Sequence, residues 1–189
     1  MNQIHRWLCR SSEWRKKLEE QVLPWALNGV DLGQNILEVG PGPGLTTDLL
    51  RPCLERITAL EIDSRLAGSL GRRLHGGNVR VIQGDATAMP FENKSFSGAI
   101  SLTMLHHVPS VALQNKLLSE VCRVLRPGAV FAGVDSLWSR AMQILHIWDT
   151  LVPIDPSTFS KRLEAAGFVR IFIDMGEGRF QFKAQRPDG

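Results

Sequence analysis

The chain has 189 residues, 43% of them hydrophobic, which suffices for one substantial core but not for two ordinary domains. Its 22 basic and 19 acidic residues give a net charge of +3, and the absence of a long basic stripe argues against nucleic acid as a partner. Three cysteines without CxxC spacing fit a reducing compartment better than a disulfide framework or a zinc site. We therefore expect one domain that binds no metal.

The amino-terminal segment predicts neither a secretory signal nor a membrane span, because charges interrupt its apolar residues. We expect a cytoplasmic protein without stable membrane insertion, acting as a monomer or homodimer. Residues 1–30 predict a helical cover that starts at Ser11 or Ser12 and kinks near Pro24. Its apolar face is formed by Trp14, Leu18, Gln21 or Val22, and Trp25.

Short apolar runs that alternate with helical stretches predict an α/β domain with a mainly parallel sheet. Strands are expected over residues 35–39, 56–60, 79–83, 98–102 and 129–134. One helix should begin after Pro109-Ser110 and end at Pro127-Gly128. Its apolar stripe is Leu113, Leu117, Val121 and Val124.

The carboxyl-terminal residues alternate with period two, which indicates half-exposed strands. Joined through residues 175–178, they predict an antiparallel hairpin and bring the sheet to about seven strands, with helices on both faces. The alternating positions are Val169, Ile171 and Ile173 in one strand and Phe180, Phe182 and Ala184 in the other.

Residues 137–153 are unusually apolar and predict a core helix against the sheet. The alternative is a pocket for an apolar or aromatic molecule, closed by Trp7 and Trp14. The domain then divides into three parts: the cover at 1–30, a ligand-binding core at 31–135, and a last part at 136–189. The helices of the last part lie on the side of this possible pocket, and its hairpin closes the sheet.

The first predicted strand runs into the turn Gly40-Pro41-Gly42-Pro43-Gly44, where glycines let the backbone approach a ligand closely. A dinucleotide fingerprint, G-x-G-x-x-G, requires glycine at the position that Leu45 occupies. The turn therefore favours another nucleoside ligand, although a purely structural tight turn stays open.

Acidic side chains follow the next two strands. Glu61 ends the second strand at the distance where a ribose diol would be held, and Asp63 is expected to cap the next helix. Asp85 follows the third strand and could accept a hydrogen bond from an adenine amino group or simply form a turn. Loops at one sheet edge thus converge on a nucleoside site.

Two further blocks follow, Leu105 to Val108 after the fourth strand and Arg123 to Gly128 before the fifth. In their order and spacing over about residues 35–135, the blocks together resemble class I S-adenosylmethionine-dependent methyltransferases. Within that family, the chain most resembles the small-molecule branch related to quinone-biosynthesis (type 11) enzymes. The blocks are Glu38 to Gly44, Ala59 to Asp63, Gly84 to Ala86, Leu105 to Val108 and Arg123 to Gly128.

The resemblance implies S-adenosyl-L-methionine as the cofactor and a Rossmann-like fold. It implies that Glu38, Gly40, Pro41, Gly42 and Gly44 lie near the methionine portion. It further places Glu61 and Ile62 at the ribose, Asp85 and Ala86 at adenine, and Ser101 and Leu102 beside the sulfonium.

The function implied is methyl transfer to a small, apolar or aromatic, even lipid-like acceptor by in-line displacement. The cofactor carries the activated group, so alignment is the protein's main task. His106 and His107 are the catalytic candidates, although a histidine in a loop that enters a helix is more often a packed or capping side chain than a base. Any base should come from the set His106, His107, Asp135, His146 and Asp149.

Two other readings stay open. A catalytically silent methyltransferase-fold subunit could steady another protein. A nucleotide-dependent oxidoreductase would explain the glycine turn but leave Asp85 and the two histidines without a role.

Overall fold

A computed structural model describes residues 11–147 and 149–188. The predicted α/β class is confirmed: one sheet of seven strands has the order β3-β2-β1-β4-β5-β7-β6. Strands β1 to β5 are parallel neighbours, whereas β7 pairs antiparallel with both β5 and β6. The strands are β1 Asn35–Val39, β2 Arg56–Glu61, β3 Val79–Gln83, β4 Phe96–Leu102, β5 Leu125–Ser136, β6 Val169–Gly176 and β7 Arg179–Gln185.

Helices and helical turns fill the connections between strands. The first elements within the described residues are α1 Ser12–Lys17, a π-helical turn Leu18–Val22 and α2 Leu23–Leu27. The longer connections contain α4 Ser64–Arg73 and α5 Val111–Val124. The remaining elements are α3 Leu45–Leu50, the 3₁₀ turns Arg51–Cys53 and Leu105–His107, α6 Arg140–Leu145 and α7 Pro156–Ala165.

The amino-terminal helix starts where the sequence predicts, because the Ser11 hydroxyl accepts a hydrogen bond from the Trp14 amide at 3.1 Å. Pro24 lacks the amide that would continue the α-helical pattern, and a π-helical turn directly precedes α2, in which Pro24 lies. Leu18, Val22 and Ala26 are buried against Val134 of β5. Trp7 and the rest of residues 1–10 lie outside the described residues.

Helix α5 ends earlier than predicted. Leu125 is already extended and begins β5, so Pro127-Gly128 lies inside that strand instead of closing the helix. Arg126 precedes Pro127 and is therefore disfavoured in the helical region, so the helix could not have reached Pro127. The predicted stripe also fails at Leu113, which is 37% exposed, while Leu117, Val121 and Val124 are buried.

The hairpin is confirmed, with a tighter turn than predicted. Only Glu177-Gly178 separates β6 from β7. Phe180, Phe182 and Ala184 are fully buried as expected. Val169 was expected to alternate with its neighbours toward the core, but it is 42% exposed, because Arg170 has a φ of +49° and the register shifts between Val169 and Phe172.

The prediction of a core helix over 137–153 is wrong. Only Arg140–Leu145 is helical, and the segment leaves large apolar side chains in solvent: Trp138, Ile144 and Ile147 are each more than half exposed. Met142 and His146 of this stretch are buried, whereas Trp138 and Ile144 are mostly exposed, so its apolar residues do not all join the core.

Candidate active site

A cavity of about 370 Å³ lies at the carboxyl edge of the parallel strands. This is the edge where open α/β sheets place their ligands, because loops from successive strands converge there. Ten of the predicted site residues line it: Glu38, Gly40, Pro41, Gly42, Glu61, Ile62, Asp85, Ala86, Leu102 and His107.

Three predicted site residues lie behind the cavity wall. Gly44 precedes α3 with a φ of +88°, and a Cβ there would meet Leu70 Cδ1 at 2.4 Å, so its glycine serves helix packing. Ser101 is buried within β4. His106 is 2% exposed and contacts Asp135.

The glycine turn follows the first strand, and the carboxylate of Glu61 at the end of the second strand holds it in place. Glu61 Oε2 accepts a hydrogen bond from the Gly42 amide at 2.9 Å, and its Oε1 accepts one from the Asp63 amide at 3.0 Å. Each carboxylate oxygen has a second lone-pair direction, so the group can still accept hydroxyl hydrogen bonds. Asp63 caps α4, as predicted, by accepting from the amides of Arg65 and Leu66 at 2.8 and 3.1 Å.

Gly40 lies where no side chain fits. Its φ is +68°, and an added Cβ would lie 2.2 Å from Met104 Cγ. Met104 follows β4, so this contact brings the loop after β4 against the glycine turn. The close approach, more than the turn itself, requires glycine at position 40.

Glu38 ends up buried beneath the turn. The Thr47 hydroxyl donates to its Oε2 at 2.6 Å. Burial raises the pKa of Glu38 to about 7, and the Thr47 hydrogen bond only partly offsets that rise. A carboxyl with this pKa can gain or lose its proton near neutral pH.

Asp85 has a partner within its own loop. Its Oδ1 accepts from the Thr87 amide at 2.8 Å, which is the turn-forming role that the sequence left open. Both Asp85 and Thr87 line the cavity, so the turn also presents polar atoms to any ligand there.

Three histidines meet at the other end of the cavity. The ring centroids of His106 and His107 lie 4.3 Å apart, and His146 lies 5.1 and 5.0 Å from them. His106 Nδ1 is 2.5 Å from Oδ1 of the fully buried Asp135. His107 Nδ1 lies 4.0 Å from Asp149 Oδ2. All five base candidates therefore belong to one cluster, of which His107 and Asp149 line the cavity.

Gln114 joins the two segments that contribute these histidines, a role that the sequence analysis missed. Its amide nitrogen donates to the carbonyls of Leu105 at 3.1 Å and Val152 at 2.8 Å. Its oxygen accepts from Arg162 Nη2 at 2.8 Å. A buried polar residue on a helix face was the available signal, because such a group requires partners.

Sequence comparison supplies the family. A family model described as a methyltransferase domain matches residues 37–133. The chain belongs to the class I S-adenosylmethionine-dependent methyltransferases. The matched range includes the glycine turn, Glu61, Asp85 and the first two histidines of the cluster.

Among curated relatives, the fatty-acid O-methyltransferase of Mycolicibacterium smegmatis is 32% identical over 121 residues, which cover 58% of this chain and 42% of the relative. A probable phthiotriol/phenolphthiotriol dimycocerosates methyltransferase 2 of Mycobacterium ulcerans is 35% identical over 107 residues, covering 54% and 40%. The matches thus span about two fifths of these relatives.

The fold resembles solved methyltransferases. Phosphoethanolamine N-methyltransferase 2 of Haemonchus contortus, solved with S-adenosyl-L-methionine, gives a TM-score of 0.75 at 13% identity, covering 99% of this chain and 60% of that one. S-adenosyl-L-methionine is the cofactor that the family and such neighbours support. The residues here fit it, since the cavity offers a glycine turn without side chains together with Glu61 and Asp85.

Proposed function

We propose that this chain transfers a methyl group from S-adenosyl-L-methionine to a small, apolar or aromatic, lipid-like acceptor by in-line displacement. The observation that carries the proposal is that one cavity is lined both by the glycine turn and by the histidine end, so cofactor and acceptor could meet there.

For the cofactor, we propose that Glu61 and Ile62 contact the ribose, Asp85 and Ala86 the adenine, and Leu102 the sulfonium. The backbone from Gly40 to Gly44, with Glu38 beneath it, would hold the methionine portion. Gly44 and Ser101 would act through the backbone or through packing, because neither lines the cavity. The cofactor supplies the activated methyl group, and this chain supplies alignment.

For the acceptor, support comes from the apolar part of the cavity wall. The amino-terminal cover contributes Trp14 and Leu18, and the region after β4 contributes Met104, Val108 and Leu113. The names of the two relatives refer to a fatty acid and to phthiotriol dimycocerosates, both of which suit such a wall. An apolar acceptor would bind there because binding removes apolar surface of the acceptor and of the cavity wall from water.

Of the two catalytic candidates, we propose that His107 contacts the acceptor and that His106 acts as a positioning residue behind it. Only His107 lines the cavity, whereas His106 is buried and held by Asp135. Holding the nucleophile and the methyl in line can supply about 7–11 kcal/mol of the barrier without any proton transfer.

The proposed site of action is the cytoplasm, with the chain as a monomer or homodimer that does not bind nucleic acid. Within residues 11–147 and 149–188, no helix has the length and apolar character needed to span a bilayer. Three cysteines without CxxC spacing support a reducing compartment.

Two measurements test the proposal. Titration calorimetry should detect binding of S-adenosylhomocysteine and no binding of NAD. Incubation with methyl-labelled S-adenosylmethionine and a panel of free fatty acids, sterols and quinols should then give a labelled product by mass spectrometry. Binding of NAD alone would favour an oxidoreductase, and cofactor binding without any product from a whole-cell small-molecule extract would favour a silent subunit.

A further inference from the structure

The three histidines of the cavity end form a group that the methyl-transfer proposal uses only in part. Taking one ring nitrogen from each of His106, His107 and His146, the three atoms lie within 4.8 Å of one another. A tetrahedral ion with bonds of about 2.0–2.1 Å holds its nitrogens about 3.4 Å apart, so small side-chain rotations would close the group around it. We propose that these three histidines bind one divalent transition-metal ion, such as Zn²⁺, at the wall of the cavity.

The environment of each ring orients it as a ligand. A metal-binding histidine commonly donates its second N–H to a carboxylate or backbone carbonyl, which leaves the other nitrogen's lone pair for the ion. His106 Nδ1 contacts Asp135 Oδ1 at 2.5 Å, and His146 Nδ1 contacts the Met142 carbonyl at 2.7 Å. A carbonyl oxygen only accepts, so His146 Nδ1 carries the proton in that hydrogen bond. His107 Nδ1 likewise faces the Asp149 carboxylate at 4.0 Å.

His106 supplies a second, independent observation. Its Nε2 is buried and has no hydrogen-bond partner among the described residues. Its exposed fraction is 2%, and a buried polar atom without a partner is costly. Coordination of an ion by Nε2 would satisfy it while Asp135 holds Nδ1. Three neutral imidazoles are ligands that suit zinc, cobalt, nickel or copper better than magnesium or calcium.

The position of the group indicates what the ion would do. His107 lines the cavity, and His106 and His146 lie behind it, so a coordination position opposite the protein ligands would face the cavity. Three protein ligands with one open position are typical of catalytic zinc sites. On the proposed function, that position would bind a hydroxyl or carboxylate oxygen of the acceptor and orient it toward the methyl group. His107 would then reach the acceptor through the ion.

The sequence predicts no metal because its three cysteines lack CxxC spacing. His146 lies 40 positions after His106 along the chain, at a spacing that indicates no metal motif. Only the fold brings α6 and the 3₁₀ turn at 105–107 together.

The test uses the untagged full chain, stripped with a chelator and titrated with Co²⁺, whose visible spectrum reports tetrahedral nitrogen coordination. We expect one equivalent to bind, and His107→Ala and His146→Ala each to weaken the Co²⁺ affinity at least about tenfold. Asp135→Asn should weaken it about 10–100-fold through His106. His75→Ala is the matched control, because His75 is an exposed histidine outside the cluster, and its affinity should equal that of the parent protein.

If a variant fails to fold, the site is tested on the parent protein instead. Zinc-edge X-ray absorption of the zinc-loaded parent protein should detect three imidazole ligands. Failure of the parent protein to bind Zn²⁺ or Co²⁺, or fewer than three imidazoles at the bound ion, overturns the site. S-adenosylhomocysteine binding is measured in the same preparations and should not depend on the ion. Cofactor binding and methyl transfer by metal-stripped protein would refute the metal role alone, whereas loss of cofactor binding in folded, metal-loaded protein would refute the proposed function.

Discussion

The cofactor end and the histidine end of the cavity differ in how their residues are spaced along the chain. At the cofactor end, Glu38 lies two positions before the glycine turn, and Glu61 reaches the Gly42 amide from the neighbouring parallel strand. At the histidine end, Asp135 likewise contacts His106 from the neighbouring parallel strand, but His146 follows α6 and meets His106 only through packing of distant segments. Local chain geometry therefore builds the first end, while the second depends on contacts between distant segments.

The largest expected effect tests the close approach at the cofactor end. Gly40→Ala should lower the free energy of unfolding by about 4 kcal/mol, since left-handed strain adds to a collision with Met104. Urea denaturation measures the loss. Gly29→Ala is the matched control: Gly29 has the same φ of +68° but open space around an added Cβ, so its loss should be about 1 kcal/mol. Equal losses of stability in the two variants would show that backbone strain alone, and not the contact with Met104, requires glycine at position 40.

Glu38 provides the pH dependence. Its pKa is raised in the folded protein to about 7 from the ordinary 4.5, so the folded state holds the proton more tightly. The tighter proton binding therefore adds fully to the free energy of unfolding below pH 4.5. This contribution is lost as the pH rises through about 7, a loss of about 3 kcal/mol by pH 8. Glu38→Gln should remove this slope in urea denaturation at several pH values.

The control for Glu38 is Glu164→Gln, a substitution of an exposed glutamate on α7 that does not line the cavity. That variant should keep the slope of the parent protein. Parallel pH curves for the parent protein and Glu38→Gln would contradict the assignment of the slope to this carboxyl.

Glu61→Gln tests the polar part of the same end. The amide nitrogen of glutamine cannot accept from the backbone, so one of the hydrogen bonds to Gly42 and Asp63 is lost together with the charge. We expect S-adenosylhomocysteine to bind about 30-fold more weakly by calorimetry, equivalent to about 2 kcal/mol. Unchanged affinity would remove Glu61 from the proposed cofactor contacts, and Glu164→Gln again serves as the control.

The smallest expected effect concerns the histidine end. Gln114→Met removes the donors to the Leu105 and Val152 carbonyls and should cost about 1–2 kcal/mol of stability. Hydrogen exchange should rise over residues 149–153 while S-adenosylhomocysteine affinity stays unchanged. Gln143→Met, at an exposed position on α6, should change neither quantity. An equal loss of cofactor affinity in Gln114→Met would show that the two ends are not independent.

Much of the fold was predictable because it depends on period and local turn chemistry. Strands β1 and β3 match their predicted bounds, and the hairpin follows from alternation. The errors came at positions where packing against other elements decides whether a side chain is buried. Leu113 follows the helical stripe yet remains partly exposed beside the cavity, and Arg170 inserts a bulge that turns Val169 outward. Residues 137–153 are apolar enough for a core helix, but among the described residues Met142 is buried while Trp138 and Ile144 are mostly exposed.

The sequence by itself determined the α/β class, the glycine turn and the acids that follow β2 and β3, because each depends on residues a few positions apart. The tertiary structure alone decided that Met104 closes on Gly40, that Gly44 and Ser101 stay behind the cavity wall, and that His146 joins His106 and His107. These are contacts between side chains separated by tens of residues. Hydrophobic periodicity and motif spacing carry no information about such distances, since packing of whole elements sets them.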